Sequence, residues 1–299
     1  MLIRETKLAD VAGMDRIRRS IEPWHVATVE TQELWFEGNP PEAQVFRVCV
    51  PSDEGLDAYV WGKRDLYADK PGATIASLGV YPTARGRGLG TALYDQAEAY
   101  LRSIGATQVQ ITVMDDPASL AFATARGFEL GATNRFISVD PRVLPPLPPT
   151  PPGVTLMTAR ECGPEAWHAV VDLAARDEPG DVPFGGMPYA DWLIMDWPTI
   201  DRDLSIIAFV DGAPAATTAL NANYATGKAM SAGSDCLREF RGRGLVKLIK
   251  SVSLRAAAEA GITTAFTGND LVNAPMRAIN AWLGYEFVGA NRSAVKLLA

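Results

Sequence analysis

Between Leu89 and Ile104 the apolar residues fall at Leu89, Leu93, Ala97, Tyr100, Leu101 and Ile104, a spacing that puts them on one face of an α-helix. The period then changes to two at Val109, Ile111 and Val113, the pattern of a strand with one buried face. Upstream, amphipathic spacing over residues 8–37 predicts helices, and β-rich runs predict strands at 44–50, 57–63 and 73–80. Downstream, a short helix is expected over 117–125 and a strand over 128–139. The second half gives a helix over 164–176, strands at 204–210 and 213–220 across an Asp-Gly turn, and another strand before Arg241. A helix with Leu245, Leu248, Ile249, Val252 and Ala256 on one face follows, then a strand at 263–267 and a helix at 274–283.

Residues 141–153 read PRVLPPLPPTPPG, seven prolines in thirteen positions, a composition that holds neither a helix nor a central strand. This segment divides the chain into domains at 1–140 and 154–299 with a linker at 141–153, and 299 residues suffice for two hydrophobic cores. The halves repeat: Arg85 and Arg241 are 156 positions apart, and Gly127 and Gly284 are 157 apart.

Each half contains Arg-Gly-Arg-Gly-Leu at the entrance to its long amphipathic helix: Arg85, Gly86, Arg87, Gly88 and Leu89, then Arg241, Gly242, Arg243, Gly244 and Leu245. Such a turn places successive backbone N–H groups at the positive end of a helix, where a phosphate is bound through amides. Glycine leaves the amides accessible and permits positive φ. Neither half has the GxxxxGK[ST] phosphate loop, and Gly86, Gly88 and Gly90 are too closely spaced for GxGxxG. The spacing that fits is RxxGxG, at Arg85, Gly88 and Gly90.

RxxGxG resembles the pyrophosphate-binding signature of the GNAT superfamily of acyl-CoA-dependent acyltransferases. Val80 and Pro82 resemble that family's Val-x-Pro before the loop, and Arg126-Gly127-Phe128 resembles the Gly-Phe after its fourth helix. In the second half Asn273 to Tyr285 is similar to the family's Asn-led helix ending in Gly-aromatic. The resemblance implies an α/β fold of the α+β kind, two tandem GNAT-like domains, each a mixed, mostly antiparallel twisted sheet flanked by helices. It implies acetyl-CoA as co-substrate, with Gly79, Val80 and Cys236 contributing backbone to the pantetheine arm and Asn273 on the cofactor side. The family's general-base Glu has no counterpart in residues 72–80, and Asp235 is the carboxylate offered by the second half. The family's proton-donating Tyr, four positions before the Gly, is replaced by Ala123 and Asn280, so Asp235 and Asn280 are the catalytic candidates. Asp177 and Glu178 are weaker ones. Val246 replaces Gly90 and crowds the second cradle, so the first domain is expected to hold acyl-CoA and the second to carry the transfer.

Other residues weigh less. His25 and His168 fall in expected helices without a partner motif, and Trp192 and Trp197 are expected to pack under a loop rather than wall a substrate pocket. Cys49, Cys162 and Cys236 are scattered, without metal-ligand spacing, which suits a reducing cytoplasm, and no metal is expected. The leading MLIRETKLAD is charged where a secretory signal is apolar, and no apolar run is long enough to span a bilayer. With 28 basic and 35 acidic residues the net charge of −7 disfavours nucleic acid as the partner of the RGRG loops. The expected reaction moves acetyl from acetyl-CoA to a primary amine of a small molecule, in a monomer or homodimer. A protein amine as acceptor and a non-catalytic acyl-CoA sensor are the alternatives.

Overall fold

The computed structural model describes residues 2–66, 68, 70, 72–175, 188–270 and 273–298. Asp177 and Glu178, with Arg176 at the end of an expected helix, lie outside them. The chain separates into two compact units, one of residues 1–134 with 290–299 and the other of residues 135–289.

Unit 1 opens with a short strand, β1 (Arg4–Glu5), then α1 (Val11–Ile21) and α2 (Val29–Glu37), where Thr28 caps α2 by accepting from the Thr31 amide. Strands β2 (Phe46–Ser52), β3 (Gly55–Arg64) and β4 (Ala73–Val80) form an antiparallel meander. Helix α3 (Leu89–Ser103) leads to β5 (Gln108–Met114), which lies parallel to β4, and α4 (Pro117–Thr124) follows under an Asp116 cap. β6 (Glu129–Val139) carries the chain from unit 1 into unit 2. The helical periodicity of α3 buries Leu89, Leu93, Ala97 and Leu101 against β2, β3 and β5, each large aliphatic worth about 1.5–3 kcal/mol.

Unit 2 has β7 (Val154–Thr158) and α5 (Ala159–Ala175), in which a first turn breaks at Gly163 and Pro164, its φ pre-set for a helix, restarts the coil. After α6 (Tyr189–Met195) come β8 (Ile206–Val210), the Asp211-Gly212 turn, β9 (Ala213–Asn223) and β10 (Lys228–Cys236), all antiparallel in sequence with β7. Helix α7 (Leu245–Glu259) returns to β11 (Thr264–Asp270), parallel to β10, and α8 (Ala274–Leu283) precedes β12 (Glu286–Leu297). Trp167, Trp192 and Trp197 pack as a buried cluster with Ile207, ring centroids 5.3 and 6.2 Å apart along the chain of contacts.

The boundaries differ from those read in the sequence. Residues 291–297 of β12 pair antiparallel with β5 and belong to unit 1, with Ala294 and Leu298 in its core, so 154–299 is not one unit. The proline-rich stretch has neither helix nor strand, as its composition requires, but falls within unit 2. There Leu144 packs on the Val139, Leu254 and Leu283 cluster, and the Pro145 carbonyl accepts from Arg255 of α7. Strands β1, β7 and β12 and helix α6 carried too few periodic residues to register in the sequence pattern.

Candidate functional site

In unit 1, β4 and β5 are bonded from Ala73 with Gln108 to Ala76 with Ile111, and pair no further, although both strands continue. The parallel strands therefore splay toward their carboxyl ends. A cavity of about 420 Å³ occupies the splay, lined by Ala76, Leu78, Ile111, Val113, Phe122 and Phe128 along its length. It passes through the sheet: Ala76, Leu78 and Val80 face α3, whereas Ser77 and Ile21 line it on the α1 side. Gly79 faces α1 so tightly that a Cβ would sit 2.6 Å from the Tyr59 ring and 2.9 Å from Ile17, which explains the glycine in a strand.

The other end of the cavity is the Arg-Gly-Arg-Gly loop, with Arg85, Gly86, Gly88, Leu89 and Gly90 in its wall. Gly86 and Gly88 have φ of 76° and 78°, and a Cβ on either would meet nothing, so glycine is required by backbone conformation and by whatever approaches, not by crowding. Gly88 caps α3 without a side chain, leaving first-turn amides to an external acceptor. Arg85 donates to the Val80 carbonyl at 3.4 Å, and Arg87 is ion-paired to Asp57 at 3.1 Å, so part of the expected countercharge is already neutralised within the unit.

The unit 2 loop has the same backbone. Gly242 and Gly244 have φ of 77° and 78°, Gly244 caps α7 without a side chain, and Arg241 donates to the Cys236 carbonyl at 3.1 Å. Leu245 is buried like Leu89, and Arg243 reaches back to the Glu239 carbonyl. Val246, in place of Gly90, packs among Cys236, Leu245 and Ile249. β10 and β11 are bonded only from Lys228 with Thr264 to Met230 with Phe266, and β10 then bulges between Ser231 and Gly233, whereas β3 and β4 keep one register throughout.

The two catalytic candidates fall on different faces of unit 2. Asp235 pairs with Thr217 and accepts its hydroxyl at 3.3 Å, on the face that holds α5. Asn280 is fully buried in α8, which packs against α7 on the other face. Asn273 is the N-cap of α8, its Oδ1 accepting from the Met276 amide at 3.2 Å, so its side chain serves the helix; Asp116 does the same for α4 at the matching position. Burial pushes the Cys236 thiol up, which opposes a nucleophilic role.

Sequence reasoning missed two clusters. His25 Nε2 lies 3.0 Å from Asp15 Oδ1 in the buried joint between α1 and α2, and Asp15 also accepts from Gln32 and Arg19 at 2.7 and 2.5 Å. Burial alone would raise the Asp15 carboxyl, but these hydrogen bonds outweigh it and hold it at about 2. Buried Lys250 and half-buried Tyr285, whose hydroxyl is buried, form the second cluster, in unit 2. Among the described residues no helix is long and apolar enough to cross a membrane.

Residues 12–128 match the acetyltransferase (GNAT) family model. No curated protein sequence matches. The fold is similar along 99% of the chain to a GCN5-related N-acetyltransferase from Sphaerobacter thermophilus, 20% identical, 95% of that chain covered, TM-score 0.73. It is similar over the same share to a tandem GNAT protein from the clavulanic acid biosynthesis pathway, without AcCoA, 19% identical, 98% covered, TM-score 0.75. A GCN5-related N-acetyltransferase from Kribbella flavida is 22% identical over 80% of this chain and 87% of its own, TM-score 0.52. A strand splay beside a glycine loop at a helix start is present once in each unit; residues 12–128 match the GNAT family model, and the chain along nearly its whole length has the fold of a tandem GNAT protein.

Proposed function

We propose that the chain is an acyl-CoA-dependent N-acyltransferase that moves an acetyl group to a primary amine of a small molecule, with acyl-CoA held by the splay and glycine loop of unit 1. The observation that carries this reading is the cavity of about 420 Å³ that joins uncapped α3 amides to an apolar passage through the sheet. The residues fit the co-substrate: open space over Gly86 and Gly88 admits a pyrophosphate, and the β4 edge beyond Ala76, unpaired toward β5, suits an extended amide-containing arm. A second acyl-CoA, at the unit 2 loop where Gly242 and Gly244 repeat that backbone, supplies the activated thioester that is transferred.

The chain's own groups do the rest. In unit 1, Leu78, Ile111, Val113 and Phe122 exclude water around the arm, and the acyl-CoA held there is the structural one. An ammonium with a pKa near 10.4 must lose a proton to become a nucleophile, and β4 has no carboxylate to take it. Asp235, on a bulged strand beside the second loop, is the group we assign to that proton, and Asn280 a hydrogen bond to the leaving sulfur, so the transfer step is placed in unit 2.

Gly88→Glu and Gly244→Glu, examined separately by calorimetric titration with acetyl-CoA and by turnover, test the division. Gly88→Glu is expected to weaken one acetyl-CoA site at least tenfold, and Asp235→Asn to lower turnover at least tenfold with binding unchanged. Loss of turnover on Gly88→Glu alone, with Gly244→Glu and Asp235→Asn fully active, sinks the assignment. Ala123 and the carboxylate-free β4 favour a second reading, a non-catalytic acyl-CoA sensor. Binding of acetyl-CoA without thiol release on a panel of amines establishes that instead.

A further inference from the structure

The positions that floor the unit 1 cavity change chemistry as a set in unit 2. Tyr94, nine residues after Arg85, corresponds to Lys250, nine after Arg241. Ala123 and Phe128, placed around Gly127, correspond to Asn280 and Tyr285 around Gly284. Tyr94, Ala123 and Phe128 all line the unit 1 cavity, where two of the three are apolar. In unit 2 all three are polar and one is a cation.

Lys250 is 3% exposed. Its Nζ donates to Ser231 Oγ at a long 3.5 Å and stands 5.8 Å from the Tyr285 ring centroid. Ser231 directly follows Met230, the last residue of β10 bonded to β11, so the ammonium sits at the apex of the splay. No carboxylate contributes to its titration, which burial alone lowers to about 8. The Tyr285 hydroxyl is buried with no hydrogen-bond partner among the described residues. An ammonium has three donors, and an unpaired one in a protein interior is costly enough that it is normally matched by an anion. A buried ammonium thus stands with a serine hydroxyl at the apex of a splay, near a tyrosine whose buried hydroxyl has no partner, and among the described residues no carboxylate is paired with it.

We infer that the apex of the unit 2 splay, formed by Lys250, Tyr285 and Ser231, is a binding site for the carboxylate of a small organic acid group carried by a ligand of this unit. It rests on the placement of acyl transfer in unit 2 only in what the ligand is: an acyl group ending in a carboxylate, or an acceptor that bears one. Neither Tyr94 nor Phe128 is a cation, and the Lys296 ammonium near the Tyr94 ring in unit 1 is paired with Glu98, so the preference belongs to unit 2 alone.

The test uses the full chain carrying Gly88→Glu, which silences the first loop, and titrates it with succinyl-CoA, acetyl-CoA and free succinate. Succinyl-CoA binding at least tenfold tighter than acetyl-CoA, with the difference erased by Lys250→Met, supports the site and assigns the carboxylate to the acyl group. Equal binding of the two thioesters, with succinate raising the melting temperature in a Lys250-dependent manner, supports it and assigns the carboxylate to a separate acid. Tyr285→Phe keeps the packing and is expected to reduce the same preference about threefold, which covers the case in which Lys250→Met does not fold. Identical responses of the parent, Lys250→Met and Tyr285→Phe to all three probes overturn the inference. Failure of every thioester to bind, with Lys250-dependent succinate binding retained, overturns the acyltransferase reading and leaves the site standing.

Discussion

Asp15 shows how much a single residue depends on partners distant in sequence. Its carboxylate accepts from His25, Gln32 and Arg19, spread over 17 positions, and is held at about 2 against an ordinary 3.8. A depressed carboxyl binds fewer protons folded than unfolded, so its contribution is complete above the unfolded value and is lost as pH falls toward 2. We expect about 2 kcal/mol of stability to disappear between pH 4 and pH 2 from this group, and the loss over that interval to be smaller in Asp15→Asn. Urea unfolding at pH 5 and pH 2.5 on both proteins measures it. An unchanged acid limb in Asp15→Asn shows that the cluster does not govern acid stability.

At the scale of elements, the splay of β4 from β5 depends on what lies behind β4. Gly79 lets α1 and the Tyr59 ring approach the strand closely, and the ring is buried with no room to swing. Gly79→Ala is expected to cost about 1–3 kcal/mol through overpacking, and to weaken acetyl-CoA binding as β4 shifts. Thermal denaturation and titration read the two effects; an alanine tolerated in both shows that α1 does not set the strand's position. The two glycine loops, by contrast, are nearly identical in backbone, with φ of 76° and 78° against 77° and 78°, so the difference between the units lies in the walls and not in the cradle. Gly90 against Val246 and Tyr94 against Lys250 are the substitutions that matter at this level.

For the whole molecule, the order of the chain and the order of the cores differ. Residues 291–297 pair with β5 in unit 1, and Lys296 donates to Glu98 on α3 at 2.5 Å. Deleting residues 290–299 removes Ala294 and Leu298 from that core and leaves β5 with an open edge. The loss of the buried leucine alone is worth about 2–3 kcal/mol, so the thermal transition of unit 1 is expected to fall by several degrees or more. Differential scanning calorimetry that finds only the unit 2 transition lowered contradicts the assignment of this strand.

The sequence by itself determined the repeated loop, the long helices α3, α7 and α8, and the Asp-Gly hairpin, because each is encoded by residues within a few positions of one another: helical periodicity, glycines needing positive φ, a cap followed by its helix. It also indicated the class of ligand, since amides at a helix start bind phosphate whatever the rest of the fold. Only the tertiary structure decided that the last strand belongs to the first unit, that Asn273 is occupied as a cap, and that Asp235 and Asn280 face opposite sides of β10. It alone brought Asp15 to His25, and Lys250 to Ser231 and Tyr285 at the apex of a splay. Those side-chain pairings join residues separated by 10 to 35 positions, and in such contacts the side chain's partner is set by the course of the backbone, which no local pattern contains.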